Sequence, residues 1–424
     1  MSAHKQFLIL VLAILMMMVI AACGGDDEDE AAEFECEDEI GCVTIAPDDP
    51  IKIASVQVLS GNPAPLGTTQ DETVRFTVSE QDDTLLGHPI EVISEDDLCT
   101  YEGGANAALK IVADPQILGV VGSTCSGAAS GTVPIVSEGG LVMISGLNTA
   151  PSLTTVDGEE PGEDWNPGYF RVITNGVAQA AAASRFAFEE LGYTRAATIN
   201  DGDTFSVGLT RAFEREFTAL GGEVVADLSV NKGDEDMEPT LNAIALAEAE
   251  IVFIPIFQPE ADFIVNQSVD VEGLEDVVWI GMDSLLLDTF IEAIGENGEG
   301  AYFATATLVD TPEIVDLRSR FEEFYGEPPK HGAYVFAYDA TSLLLNAIET
   351  VAVQEDDGTL HIGRQALRDQ LAATSTFDGV SGSLTCDEFG DCSAAVLSVG
   401  RVDDAGDGRQ GVLDNILVTY TFGD

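Results

Sequence analysis

From Ile51 onward, short β-branched runs alternate with longer amphipathic stretches, and this alternation restricts the fold more than any other feature of the chain. Such βα units bring successive strands back side by side and mainly parallel. Strands are expected over 51–58, 90–94, 117–121, 141–144, 196–200, 223–228, 251–256 and 277–280. Helices are expected over 71–79, 103–113, 127–138, 177–191, 206–220, 238–248, 259–271 and 287–294. A polar interruption at 157–167, containing Gly and Pro, separates the first four strands from the next four, which implies one sheet on each side and so two lobes. Helical patterns return over 312–325, 333–353 and 364–373, before a strand-rich, Gly-punctuated tail over 382–422. A length of 424 residues against roughly 100–200 per domain points the same way. No period typical of a solenoid or propeller recurs.

The chain carries 75 acidic residues against 17 basic ones, a formal net charge of −58. Polyphosphates are bound through clustered Lys and Arg, so this scatter of basic residues argues against a nucleic-acid partner and against adsorption to anionic headgroups. The acidic excess fits a solvated surface selected for solubility as well as it fits a salty habitat.

At the N-terminus, His4 and Lys5 precede an unbroken apolar stretch from Phe7 to Ile20, then Ala21, Ala22 and Cys23. Residues 7–22 fall short of the roughly 20 needed to cross a bilayer, so 1–22 read as a secretory signal. The end of that segment resembles the bacterial lipobox, which implies cleavage before Cys23, lipid on its sulfur, and an exported chain anchored to a membrane while facing the periplasm or cell exterior. Residues 23–49, with Asp26-Asp27-Glu28-Asp29-Glu30 and no Lys or Arg, read as a self-repelling acidic tether, and the EF-hand ligand pattern is absent from them. Setting Cys23 aside leaves six cysteines, for which Cys36 with Cys42, Cys99 with Cys125 and Cys386 with Cys392 is the simplest of fifteen connectivities. An exported compartment permits disulfides. Metal binding by the first or last pair is the alternative, but neither has a nearby His or C-x-x-C spacing, and no metal or cofactor is expected.

Enzyme motifs are scarce. The chain has no phosphate-binding G-x-x-x-x-G-K-[ST], no H-E-x-x-H and no G-x-S-x-G. Its four histidines are scattered, and His88 beside Pro89 and His331 after Lys330 read as loop residues. A hydrolase built on Cys125 or Ser126 lacks a neighbouring base, and a disulfide at Cys125 would remove the thiolate, so no enzyme is expected. The turn Gly122-Ser123-Thr124-Cys125-Ser126-Gly127 instead offers a hydroxyl and several backbone N–H groups at a helix start, a place that attracts a carboxylate. Ser126 as a simple helix cap is the competing reading.

The blocks Ile51-Lys52-Ile53, Leu59-Ser60-Gly61, Glu95-Asp96-Asp97-Leu98-Cys99, Val120 through Gly127, and Met143-Ile144-Ser145 through Thr154 resemble the leucine/isoleucine/valine-binding family. Those are substrate-binding proteins of ABC importers with the type I periplasmic fold, and the resemblance spans nearly the whole chain from Ile51. It implies an α/β fold of two Rossmann-like lobes with mainly parallel sheets and a three-segment hinge, with 50–172 plus 307–376 in one lobe and 173–306 plus 377–424 in the other. It also implies the Cys99–Cys125 disulfide. In the same way it gives Ser126 to a ligand carboxylate, Thr149 to the ammonium and carboxylate through its hydroxyl and N–H, and the carbonyl of Leu147 to the ligand. Asp283, in Trp279-Ile280-Gly281-Met282-Asp283, would pair with the ammonium. A solvated carboxylate at a strand end is the other reading of Asp283.

Three family tyrosines are replaced here by Leu66, Phe205 and Phe257. Each change removes a phenolic hydroxyl and keeps apolar bulk, which implies a drier pocket for an aliphatic or aromatic side chain; simple core packing is the alternative for both phenylalanines. The expectation is therefore a monomeric, exported solute-binding lipoprotein that closes on an amino acid, branched-chain or otherwise hydrophobic, and delivers it to ABC permease subunits. A receptor or sensor of the same fold for amides, urea-like compounds or aromatic acids is the alternative, in which Asp283 would have no ammonium to meet.

Overall fold

Two sheets organise residues 38–424, the larger of the two units into which the chain separates. The structure, a computed structural model, describes residues 34–306, 311–393 and 395–422; the expected signal, Cys23 and the acidic run Asp26–Glu30 lie outside them. In the first lobe the strand order is Thr84–Leu85, His88–Asp96, Ile51–Gln57, Ile117–Gly122, Val142–Ser145, Tyr169–Arg171, parallel except at the Thr84–Leu85 edge. In the second, Glu223–Ser229, Arg195–Asn200, Ile251–Phe253, Val278–Met282 and Tyr302–Ala306 run parallel, and Ala395–Arg401 and Ile416–Phe422 extend the sheet antiparallel. The inner strand Ile117–Gly122 is buried at every position, as a parallel strand covered by helices on both faces must be. The expected α/β fold with two mainly parallel lobes is thus the one adopted.

Sheet membership makes the chain pass between lobes three times: after Arg171, after Ala306 and before Ala395. The segment between the last two passages packs on the first lobe. Helix Ala333–Val351 contributes Leu343, Leu344 and Ile348 to its core, and Leu384 and Cys392 join the same cluster. The last passage therefore lies after Cys392 rather than at the expected 377, because the hairpin Phe377–Gly379/Gly382–Leu384 and the Cys386–Cys392 disulfide belong to the first lobe's edge. The expected tether is also shorter than 23–49: Cys42–Ile45 pairs antiparallel with Leu360–Gly363 and buries Val43 and Ile45, an alternation hidden by the acidic residues around it. The expected Cys36–Cys42 pair would join the two units and stays an expectation.

Two glycines set the start of helix Ser126–Glu138. A methyl group on Gly104 would strike the carbonyl of Ala128, and one on Gly131 the carbonyl of Tyr101, so helices Tyr101–Val112 and Ser126–Glu138 cross with their backbones nearly in contact. The Cys99–Cys125 disulfide ties the residues just ahead of both helices.

Behind the first passage lies a buried ionic cluster. Arg171 is fully buried; its Nε pairs with Asp391, and its Nη1 donates to the carbonyls of Asn148 and Ala150 at 3.2 and 2.9 Å. Asn175 Nδ2 and Thr154 Oγ1 donate to the other Asp391 oxygen at 2.9 and 3.0 Å. The loop 147–155 is therefore held by a guanidinium that has no access to water. Removing the counter-charge should leave that cation unpaired: Asp391→Ala is expected to cost about 3–5 kcal/mol in urea denaturation, and a loss below about 1 kcal/mol would show that the cluster does not hold the loop.

Candidate ligand-binding site

Parallel α/β sheets bind ligands outside the carboxyl ends of their strands, and the expected site residues sit there. Ser126 follows strand Ile117–Gly122, Leu147 and Thr149 follow Val142–Ser145, Phe205 follows Arg195–Asn200, Phe257 follows Ile251–Phe253, and Asp283 follows Val278–Met282. Leu66 lies on the helix Ala64–Ser79 that follows Ile51–Gln57. The structure brings six of these together: Leu66, Ser126, Leu147, Phe205, Phe257 and Asp283 line one space between the lobes, with Thr124 and Ser284. Thr149 is not on that lining. It is 1% exposed, its Oγ1 has no hydrogen-bond partner, and its carbonyl accepts the N–H of Gly176 at 2.7 Å.

Asp283 is the one ionisable side chain on this lining. It is 8% exposed, and Gln179 Nε2 donates to its Oδ2 at 3.1 Å while its own turn donates through the Ser284 N–H at 3.1 Å. Burial raises its pKa to about 6, with the Gln179 bond and the backbone N–H groups pulling the other way. The solvated strand-end reading does not hold, because the aspartate is enclosed.

Of the three hydroxyls on the lining, only Ser126 keeps a proton to give. Thr124 donates to Gln57 Oε1 at 2.8 Å and Ser284 to the carbonyl of Ile256 at 2.8 Å. Ser126 Oγ only accepts, from the N–H of Ala150 at 3.2 Å. The remaining wall is apolar: the rings of Phe205 and Phe257 lie 5.4 Å apart and share a core cluster with Leu66 of the other lobe. The cavity here measures about 20 Å³, on the scale of a single water, so a solute can enter only when the lobes part.

Contacts across the gap explain how the lobes close. The second lobe's Asp203 caps its own helix through the Phe205 N–H at 3.0 Å and also accepts from the first lobe's Gly127 N–H at 3.1 Å, placing a carboxylate at that helix's positive end. Lys232 Nζ holds the other Asp203 oxygen at 2.9 Å. Ser130 Oγ meets Thr204 Oγ1 at 3.1 Å.

Two participants escaped the sequence reading. Gln179 had a weak signal, as the one polar residue within the alanine-rich Gly176–Arg185 helix before its last turn. His331 had none, and it is not a simple loop histidine: it is 5% exposed, its Nε2 meets the carbonyl of Asp283 at 3.3 Å, and its Nδ1 accepts the Ala333 N–H at 3.1 Å. Burial lowers its pKa to about 3, so the ring is neutral, with its proton on Nε2 toward Asp283. His88 is likewise buried, between the carbonyls of Asp49 and Gly358.

Two lobes, three passages and a cleft at the strand ends leave a place for a small solute between the lobes. A family model described as periplasmic binding protein matches residues 50–406. The Leu/Ile/Val-binding protein BraC3 of Rhizobium johnstonii is 24% identical over 352 residues, 82% of this chain and 90% of that protein. The Leu/Ile/Val-binding protein of Escherichia coli K12 is 24% identical over 367 residues, 83% of this chain and 92% of that one. Among solved structures, a leucine-binding protein from Thermotoga maritima has a TM-score of 0.72 at 24% identity, covering 88% of this chain and 98% of its own. An ABC-transporter solute-binding protein from R. palustris in complex with benzoate has a TM-score of 0.70 at 21% identity, covering 83% and 93%. The chain belongs to the periplasmic binding protein family. Each of these four relatives is named as a binding protein.

The raised Asp283 pKa sets a sign. Above pH 6 the folded protein holds an ionised carboxylate that its enclosure favours less than water does in the unfolded chain, and each tenfold weakening of its acidity on folding costs about 1.4 kcal/mol. Stability from this group is lost as pH rises from about 4 to about 6. Asp283→Asn should therefore raise the melting temperature of the solute-free protein at pH 7.5 and flatten its dependence across that window; an unchanged or lower melting temperature would mean the carboxylate is not strained.

Proposed function

We propose that this protein is an exported lipoprotein, anchored through Cys23 on a shortened acidic tether, that captures an amino acid between its lobes and presents the closed form to an ABC permease. The observation that carries the amino-acid assignment is the pairing on one lining of a lone enclosed carboxylate, Asp283, with a lone free hydroxyl donor, Ser126. An ammonium at Asp283 and a carboxylate at Ser126 would satisfy both poles of a zwitterion, and removal from water makes each contact count for more. The wall of Leu66, Phe205 and Phe257 supports a solute that carries apolar bulk beside its charged poles. Relatives named for leucine, isoleucine and valine support the same reading.

Binding then works by population shift. A solute that touches both lobes favours the closed form over the open one, and a permease can read that difference. No bond is broken.

Asp283→Ala should abolish saturable leucine binding in calorimetry while circular dichroism stays that of the folded protein. Unchanged leucine affinity in the variant, or tight wild-type binding of uncharged amides or benzoate in place of amino acids, would overturn the assignment.

A further inference from the structure

A second chamber adjoins the space beside Ser126 and shares Leu147 and Asp283 with it. It measures about 50 Å³, and its walls include Ile173, Leu286, Phe336 and Leu413. His331 also lines it, but both ring nitrogens are engaged with the backbone. That leaves Arg409. Its backbone N–H donates to Asp288 Oδ1 at 2.8 Å, and that carboxylate favours the guanidinium's charge, but among the described residues no acceptor lies within hydrogen-bond or ion-pair distance of the guanidinium itself. A guanidinium drawn out of water without an acceptor is costly, and burial holds the Arg409 pKa below its ordinary value. Asp283 also lines the chamber, but no hydrogen bond or ion pair joins it to Arg409, so the guanidinium's five planar donors are left to match a carboxylate that a solute brings.

We propose that this chamber receives the solute's side chain and that Arg409 binds a carboxylate at its end, which makes the preferred solute a 2-amino dicarboxylic acid. The inference rests on the amino-acid reading above, with the ammonium on Asp283. The methylenes lie against Ile173, Leu286, Phe336 and Leu413, and the terminal carboxylate accepts from the guanidinium. The protein's net charge of −58 does not oppose this, because exposed charges beyond about 8–10 Å are screened at physiological salt.

The test compares 2-aminoadipate with norleucine, which differ only at the last carbon, by calorimetric titration of the purified protein. A charge-assisted pair should make 2-aminoadipate bind tighter by about tenfold or more. Arg409→Gln should bring that ratio close to one, and Arg409→Lys should restore part of it. Equal affinities in the wild type, or a preference that survives Arg409→Gln, would overturn the role of Arg409 and leave the amino-acid reading standing. If neither compound binds, both readings fall. Should Arg409→Gln not fold, the wild-type ratio decides alone.

Discussion

A carboxylate enclosed between two lobes is the constraint around which this molecule is arranged. Asp283 sits in a setting where an ionised group is disfavoured, and the protein meets that cost only in part. Gln179 supplies a neutral donor to the side chain, and His331 of the other lobe supplies one to the backbone carbonyl of the same residue. Neither brings a positive charge. A cationic group arriving from solution therefore finds a strong unmet interaction, and the enclosure that makes the free carboxylate costly also makes the pair favourable.

The rest of the architecture fixes where that carboxylate points and what faces it. Its strand ends at the same carboxyl edge of the second sheet as those leading to Phe205 and Phe257, and the strands leading to Ser126 and Leu147 end together in the first, a consequence of parallel pairing within each sheet rather than of any local motif. Facing it, the helix that begins at Ser126 is pinned by the Cys99–Cys125 disulfide and by the close crossing at Gly104 and Gly131. Arg171 and Asp391 hold the loop carrying Leu147 and Thr149 from behind. Across the gap, closure combines an apolar patch with Asp203 at a helix start, contacts specific enough to define a shut form and weak enough to be reversed.

Much of this was legible in the chain. Long amphipathic helices such as Pro312–Tyr325 and buried strands such as Ile117–Gly122 announce themselves because their periodicity runs over enough residues. Tyr169–Arg171 and Tyr302–Ala306 do not: three and five residues, one run ending in a buried arginine, give no period to read. Cys42–Ile45 was masked by acidic neighbours, although its alternation is that of a strand buried on one face. The residues that resemblance supplied line the cleft with one exception, Thr149, which is buried off that lining with its hydroxyl unpartnered. Gln179 left only a weak trace in the sequence and His331 and Arg409 none, because their places come from long-range packing that brings positions far apart in the chain to the Asp283 turn or its neighbouring chamber.

Proton release on binding tests the central claim most directly. Burial in the closed form raises the Asp283 pKa to about 6, so the carboxyl is partly protonated there near that pH, and an ammonium placed on it must drive that proton off. Calorimetry of amino-acid binding at pH 6 in two buffers of different ionisation enthalpy should therefore report net proton release, disappearing in Asp283→Asn. Binding with no proton change at pH 6, or the same release in the variant, would contradict the account.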